Sequence, residues 1–143
     1  MFSLIITIIS IALVVALVAA TMYHGGDVLT QGRTEADAAA FVAGAQQITG
    51  AASMHLALEG TAALGDGAAG IKTALVDTSY LSSVPSVEGE WISLTANSLV
   101  AEVTSDDVCT ALAGDASDTY TCAAATVANG ALAVGDNQFT FKY

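Results

Sequence analysis

The chain is short, apolar and acidic. It has 143 residues, 54% of them hydrophobic, and its 14 Asp and Glu residues are opposed by only three Lys and Arg, for a formal net charge of −11. Such a charge repels phosphate backbones and anionic lipid headgroups, which argues against nucleic-acid binding by electrostatic attraction. About 120 residues follow the apolar N-terminal stretch, enough for one small domain with a single core.

The first element is an apolar stretch, residues 2–23, without a charged residue, Gly or Pro. At about 1.5 Å of rise per residue, a helix of this length reaches roughly 33 Å and can cross the hydrocarbon of a bilayer. The hydroxyls of Ser3, Thr7, Ser10 and Thr21 are tolerated there because they bond to carbonyls of their own helix. Residues 1–24 are therefore predicted to form an apolar helix that spans a membrane.

Two other kinds of apolar N terminus stay open. A secretory signal peptide has a basic segment before its apolar core, and no Lys or Arg precedes this one, although cleavage after Ala19 or Ala20 remains an alternative. An ordinary single-span anchor would have no helical continuation. We expect the apolar helix to be retained in the mature protein.

The segment His24-Gly25-Gly26 interrupts the apolar run. Each Gly costs about 1 kcal/mol in a helix interior, so a melted segment is predicted near residues 24–26. Residues 25–59 are predicted to form an amphipathic continuation of the helix, because apolar residues recur there at spacings of three and four. These residues are Phe41, Ala45, Ile48, Ala52 and Leu56.

Residues 60–143 are predicted to form a globular head. Residues 60–70 are Gly-rich and are expected to be a loop, with Gly60 ending the helix. A short helical turn is expected at residues 71–75. Residues 80–89 contain the only proline of the chain and are expected to be a connector.

Strand signals begin after this connector. Residues 91–104 alternate with a period of two around Ala96-Asn97, which predicts a hairpin with a tight turn in which Asn97 tolerates positive φ. A second hairpin is predicted from residues 131–134 and 138–143 around a turn at 135–137. In this second hairpin, residues 139, 141 and 143 are expected to share one face.

A short helix is expected between the two hairpins, at residues 106–113, with Ser105 as its N-cap. The predicted fold is therefore α+β: a long N-terminal helix, apolar in one half and amphipathic in the other, packed on a small antiparallel sheet of about four strands.

The two cysteines, Cys109 and Cys122, lie close together in the sequence. In a chain with an apolar anchor, this pair suits an oxidising exterior and a single disulfide, here in a C-terminal loop. The loop-entropy relation gives such a bond about 3 kcal/mol of stabilisation.

Residues that would support catalysis or metal binding are scarce. The sequence has no nucleophile elbow, no phosphate loop and no cysteine spacing typical of metal sites. His24 is expected at the membrane interface, and His55 as a partly exposed helix residue, rather than as metal ligands. Asp115 and Asp118 flank the disulfide loop, where Ca²⁺ binding is an alternative to a solvated acidic loop. We expect no enzyme activity, no metal and no cofactor.

The architecture resembles that of the type IV pilins. The resemblance is based on the apolar N-terminal helix, its amphipathic continuation, the Gly-rich loop, the strand pair WISLTANSLVAEVTS and the cysteine pair before a final FTF strand. It implies a structural subunit, the major pilin, of an extracellular filament that assembles as a helical homopolymer. It also implies a prepilin peptidase that removes a basic leader, so that Met1 is the processed and methylated N terminus.

The resemblance also implies where the protein resides and how it assembles. The subunit would lie in the inner (cytoplasmic) membrane before an assembly platform and its motor ATPase build it into a pilus on the cell surface. Gly25 and Gly26 would form a break that lets the helix extend on assembly. The expected filament-core residues are Phe2, Leu4, Ile5, Ile8, Ile9, Leu13 and Leu17.

One position departs from the family. Most members have Glu at the fifth mature position, where this chain has Ile5, or Ile6 if the count begins at Phe2. That buried carboxylate is thought to meet a neighbour's N-terminal ammonium. We hypothesise that the Ser3 and Thr7 hydroxyls and neighbouring carbonyls solvate the ammonium instead, and normal filament yield after removal of both hydroxyls would refute this. The departure keeps a type IVb-like or divergent pilin open, including archaeal and conjugation-associated ones.

Two other functions stay in view. One is a membrane-anchored extracellular receptor or binding module that never polymerises, and the other is a secretion-system pseudopilin.

Overall fold

A computed structural model describes residues 2–114, 118–125, 133 and 135–143, with residues 24–27 described by their backbone only. In chain order, the elements are α1 (Phe2–Glu59), β1 (Gly65–Asp66), α2 (Gly67–Ile71), a π-helical segment (Lys72–Val76), β2 (Gly89–Leu94), β3 (Ser98–Val103), α3 (Asp106–Gly114), β4 (Tyr120–Ala124) and β5 (Asn137–Lys142). The chain divides into two compact units, Met1–Arg33 and Thr34–Tyr143. The second unit contains the sheet and is called the head below.

The N-terminal element, α1, is one helix from Phe2 to Glu59. The predicted melted segment at residues 24–26 was therefore wrong for the isolated chain. Glycine lowers helix propensity but keeps its backbone N–H and C=O, so a helix that is well formed on both sides continues through two of them. The predicted end was correct: Gly60 has φ +71°, and its N–H donates to the Leu56 carbonyl at 2.9 Å.

The amphipathic part of α1 packs on the sheet through the predicted face. Phe41, Ala45, Ile48 and Ala52 are buried, whereas Leu56 is 45% exposed. The prediction failed at Leu56 because the buried stripe on this face ends one turn earlier, at Ala52.

The sheet has five antiparallel strands among the described residues, in the order β1-β2-β3-β5-β4. The α+β fold is therefore confirmed: a long N-terminal helix packs on a small antiparallel sheet, and a disulfide lies in its C-terminal part. Neither β1 nor β4 was among the predicted strands. The first of the five, β1, pairs through Gly65 with Leu94 of β2. It lies with α2 in the segment predicted to be a loop, and burial of Ile71 and Leu75 explains why this Gly-rich segment is ordered against the core.

The β2–β3 hairpin is confirmed, but its details differ from the prediction. Trp91 pairs with Ala101 and Ser93 with Val100, so Ile92 is an extra residue in a bulge. The bulge breaks the alternation of the strand, and all residues from Trp91 to Leu94 are buried. Asn97 is not at positive φ; instead, the Thr95 hydroxyl accepts from the Ser98 N–H at 3.1 Å across the turn.

The second predicted hairpin falls largely outside the described residues, since 131, 132 and 134 are not among them. Within the described chain, β5 pairs with β3 on one side and β4 on the other. The strand β4, at Tyr120–Ala124, is not among the predicted strands. Of the three residues predicted to share one face, Phe139 and Phe141 on β5 are buried, whereas Tyr143 is 40% exposed.

The core of the head is centred on aromatic rings. Phe41 of α1 has its ring centroid 5.8 Å from that of Phe139 and 6.1 Å from that of Trp91, and all three side chains are at most 2% exposed. The Trp91 indole N–H donates to the Pro85 carbonyl at 2.7 Å, which fixes the ring and satisfies its polar group. The predicted connector thus anchors the largest side chain of the core.

Gly44 lets α1 approach this tryptophan closely. A Cβ at Gly44 would lie 3.0 Å from Trp91 Cζ2, whereas nothing lies within 4 Å of the same atom at Gly50. We expect Gly50→Ala to stabilise the head by about 1 kcal/mol through helix propensity. Gly44→Ala gains the same propensity but overpacks a fixed ring, which costs roughly 1–3 kcal/mol. Urea unfolding of both variants, followed by Trp91 fluorescence, tests this, and equal stabilisation would contradict it.

The disulfide between Cys109 and Cys122 is confirmed, and it joins α3 to β4 with the Cα atoms 5.5 Å apart. We expect the double variant Cys109→Ala/Cys122→Ala to lose about 3 kcal/mol, because the unfolded chain regains the entropy of the closed loop. Urea midpoints of the full chain in detergent measure the loss. The reduced natural chain is the control, and its urea midpoint should equal that of the double variant rather than that of the oxidised chain.

Candidate functional site

The most unusual surface of the chain is the apolar half of α1. Every residue from 2 to 23 is exposed. The large apolar side chains among them range from 47% exposed at Val18 to 85% at Phe2. A helix that is apolar all round needs lipid or protein on every side. Among the described helices, α1 is the only one long and apolar enough to cross a membrane.

The polar groups within this stretch are satisfied by the helix itself. The Thr7 hydroxyl donates to the carbonyls of Leu4 and Ser3, at 2.8 and 3.2 Å, and the Thr21 hydroxyl donates to that of Val18 at 2.9 Å. The prediction of bonds to carbonyls of the same helix is confirmed for these two threonines. Neither hydroxyl therefore opposes transfer of the helix into an apolar medium.

The residues predicted to form a filament core all lie in this stretch and are all exposed. Phe2, Leu4, Ile5, Ile8, Ile9, Leu13 and Leu17 are between 53% and 85% exposed. The structure does not separate them from neighbours that are equally apolar and exposed, such as Ile6, Ile11 and Val14. The lack of any polar face along residues 2–23 is the sequence signal that indicates these neighbours too. Met1, the predicted processing site, and the side chains of residues 24–27 lie outside the part of the chain that the structure describes.

The predicted metal candidates do not form a site. No group of three or more His, Cys, Asp or Glu residues that could hold a metal ion occurs in the described part of the chain. Asp115 lies outside that part, and Asp118 is exposed. His55 instead donates from Nδ1 to the Thr61 carbonyl at 3.0 Å, and its ring lies edge-on to Tyr80 with 5.0 Å between centroids.

Tyr80 links the end of α1 to the segment after the π-helical turn. Its hydroxyl donates to Glu59 Oε1 at 2.8 Å. This hydrogen bond to the carboxylate raises the pKa of Tyr80, and desolvation and the nearby negative charge act in the same direction. Through these contacts, Glu59 and His55 connect the last turn of α1 to Thr61 and Tyr80, which is a structural role.

The apolar half of α1 is therefore the candidate functional site, and its chemistry is association with an apolar environment. Comparison of the chain with protein-family models, with curated proteins and with solved structures finds no match.

Proposed function

We propose that this chain is the structural subunit, the major pilin, of a type IV pilus-like extracellular filament. The observation that carries the proposal is the exposure of apolar side chains on every side of residues 2–23, on a helix that also supplies Phe41 to the core of the head. One helix thereby links a segment that must avoid water to a folded, acidic domain.

The free energy of the apolar segment limits what it can do. At about 25 cal/mol per Å² of exposed apolar surface, moving such a helix from lipid into water costs on the order of tens of kcal/mol. A single copy cannot leave the bilayer, but many copies can if their helices pack side by side. A contact between two different surfaces of the same subunit then gives an open helical polymer rather than a closed ring.

The partners follow from this proposal. The subunit associates with copies of itself, after a prepilin peptidase has acted on it and while it still lies in the inner membrane. An assembly machine then moves it into the cell-surface filament. Gly25 and Gly26 lower the cost of melting α1 locally, so the continuous helix of the isolated chain can extend when the subunit enters the polymer.

Electron microscopy of material sheared from producing cells tests the function. We expect fibres that an antibody to the head decorates along their whole length. A chain found only as a membrane-bound monomer would overturn the proposal and favour an anchored receptor or binding module. Labelling confined to short structures inside the envelope would point to a pseudopilin.

A further inference from the structure

The head carries a shallow groove where residues of α1, α3 and β4 meet. Its volume is about 390 Å³, near the lower end of the range for clefts that bind ligands. Ala38, Ala39 and Ala43 of α1 line one side, and Glu35 is the only carboxylate among the lining residues that the structure describes. The side chains used below are Ala39, Ala43, Ala111, Leu112 and Tyr120. We call this surface the head groove.

The same helix presents two bulky apolar side chains nearer its end. Met54 and Leu58 are one turn apart on α1 and are 56% and 66% exposed. Side chains four residues apart lie next to each other on a helix surface, so the two residues form one protrusion. We call them the protruding pair.

The charge of the chain points to a second copy as the occupant of the groove. Each copy carries a net charge of −11, so surfaces rich in carboxylates repel each other when copies approach. From Ala38 to Leu58 the chain has no Asp, Glu, Lys or Arg. This stretch includes the protruding pair and every described α1 residue that lines the groove except Glu35. Contact between copies is least opposed there.

The two surfaces are also complementary in size. Bulky side chains packed among small ones give the close packing that well-formed interfaces share with protein interiors. Ala43 and Leu58 are separated by roughly 22 Å along the helix axis, at 1.5 Å per residue. One copy therefore cannot place its own protruding pair in its own head groove.

We propose that Met54 and Leu58 of one copy pack into the head groove of the next copy, against Ala39 and Ala43. Because the groove and the pair are different surfaces of one subunit, this contact is heterologous and repeats without closing. The inference rests on the proposed filament and adds to it a specific contact between heads.

Disulfide trapping in filaments tests the contact. The double variant Leu58→Cys/Ala43→Cys places two exposed thiols too far apart for a bond within one chain, since a disulfide needs Cα atoms about 4.4–6.8 Å apart. After mild oxidation of intact filaments, non-reducing electrophoresis should show a ladder of covalent trimers and longer species. Each single variant should give no ladder, and neither should Leu58→Cys combined with Ser83→Cys, an exposed position outside the groove.

The outcomes separate this contact from the filament itself. A ladder confined to the double variant supports the contact. Filaments of normal appearance whose double variant stays monomeric after oxidation overturn the contact and leave the filament standing. Absence of fibres from the unsubstituted chain overturns both proposals.

Discussion

Replacing Leu13 with Lys is expected to leave the chain in the membrane and to remove it from filaments. Leu13 lies at the middle of the apolar stretch and is 61% exposed in the isolated subunit. A Lys at the centre of a membrane helix raises the free energy of insertion by about 3 kcal/mol. The cost is no larger because the long side chain places its ammonium near the headgroups. The remaining apolar residues outweigh this cost, so membrane insertion persists.

In the interior of a helix bundle, the Lys ammonium cannot reach headgroups or water. An unpaired charge buried among packed apolar helices costs several kcal/mol per subunit, and each copy in a polymer repeats it. Membrane fractionation and pelleting of sheared filaments measure the two effects separately. Leu64→Lys is the matched control, since Leu64 is 64% exposed on the head and should change neither. Fibres of Leu13→Lys at normal yield would contradict the proposed core.

Replacing Phe41 with Ala should cost the head about 3–5 kcal/mol, the range for deleting a buried aromatic ring. Phe41 is fully buried, and its ring contacts those of Trp91 and Phe139, so truncation leaves a cavity where α1 meets the sheet. The total stability of a domain of this size is about 5–15 kcal/mol, so a large share would be lost.

Urea unfolding in detergent, followed by Trp91 fluorescence, measures this loss. Met54→Ala is the control on the same helix, because Met54 is 56% exposed and its truncation should change stability by no more than about 0.5 kcal/mol. If Phe41→Ala and Met54→Ala unfold at the same urea concentration, packing of Phe41 against the sheet does not stabilise the head.

The long-range pattern of the fold could be predicted from sequence because it depends on periodicity. Phe41, Ala45 and Ile48 recur at helical spacing, and they are buried. The predicted break at Gly25-Gly26 failed because propensity measures a local cost, whereas the helix on both sides favours continuation. The bulge at Ile92 and the pairing of β4 depend on contacts between strands that sequence spacing does not encode.

One of the two surfaces discussed above could be predicted from the sequence, and the other could not. The apolar stretch could be found from composition alone, because a run without any charge is a property of consecutive residues. The head groove could not, since it brings Ala43, Ala111 and Tyr120 together from three elements. Gly44 is the sequence signal for the contact between α1 and Trp91. A glycine within a buried helix face indicates that another group approaches the helix closely, and here that group is Trp91.

The bond between α3 and β4 bears on mechanical strength. Cys109 is two residues from Ala111, and Cys122 is two residues from Tyr120, so both of these groove walls adjoin the same covalent link. If a neighbouring subunit binds in the head groove, tension along the proposed fibre acts on the Cys109–Cys122 disulfide. Thermal motion does not break this covalent bond. In the proposed filament, an oxidising exterior would keep this bond closed and so raise the load at which the fibre breaks.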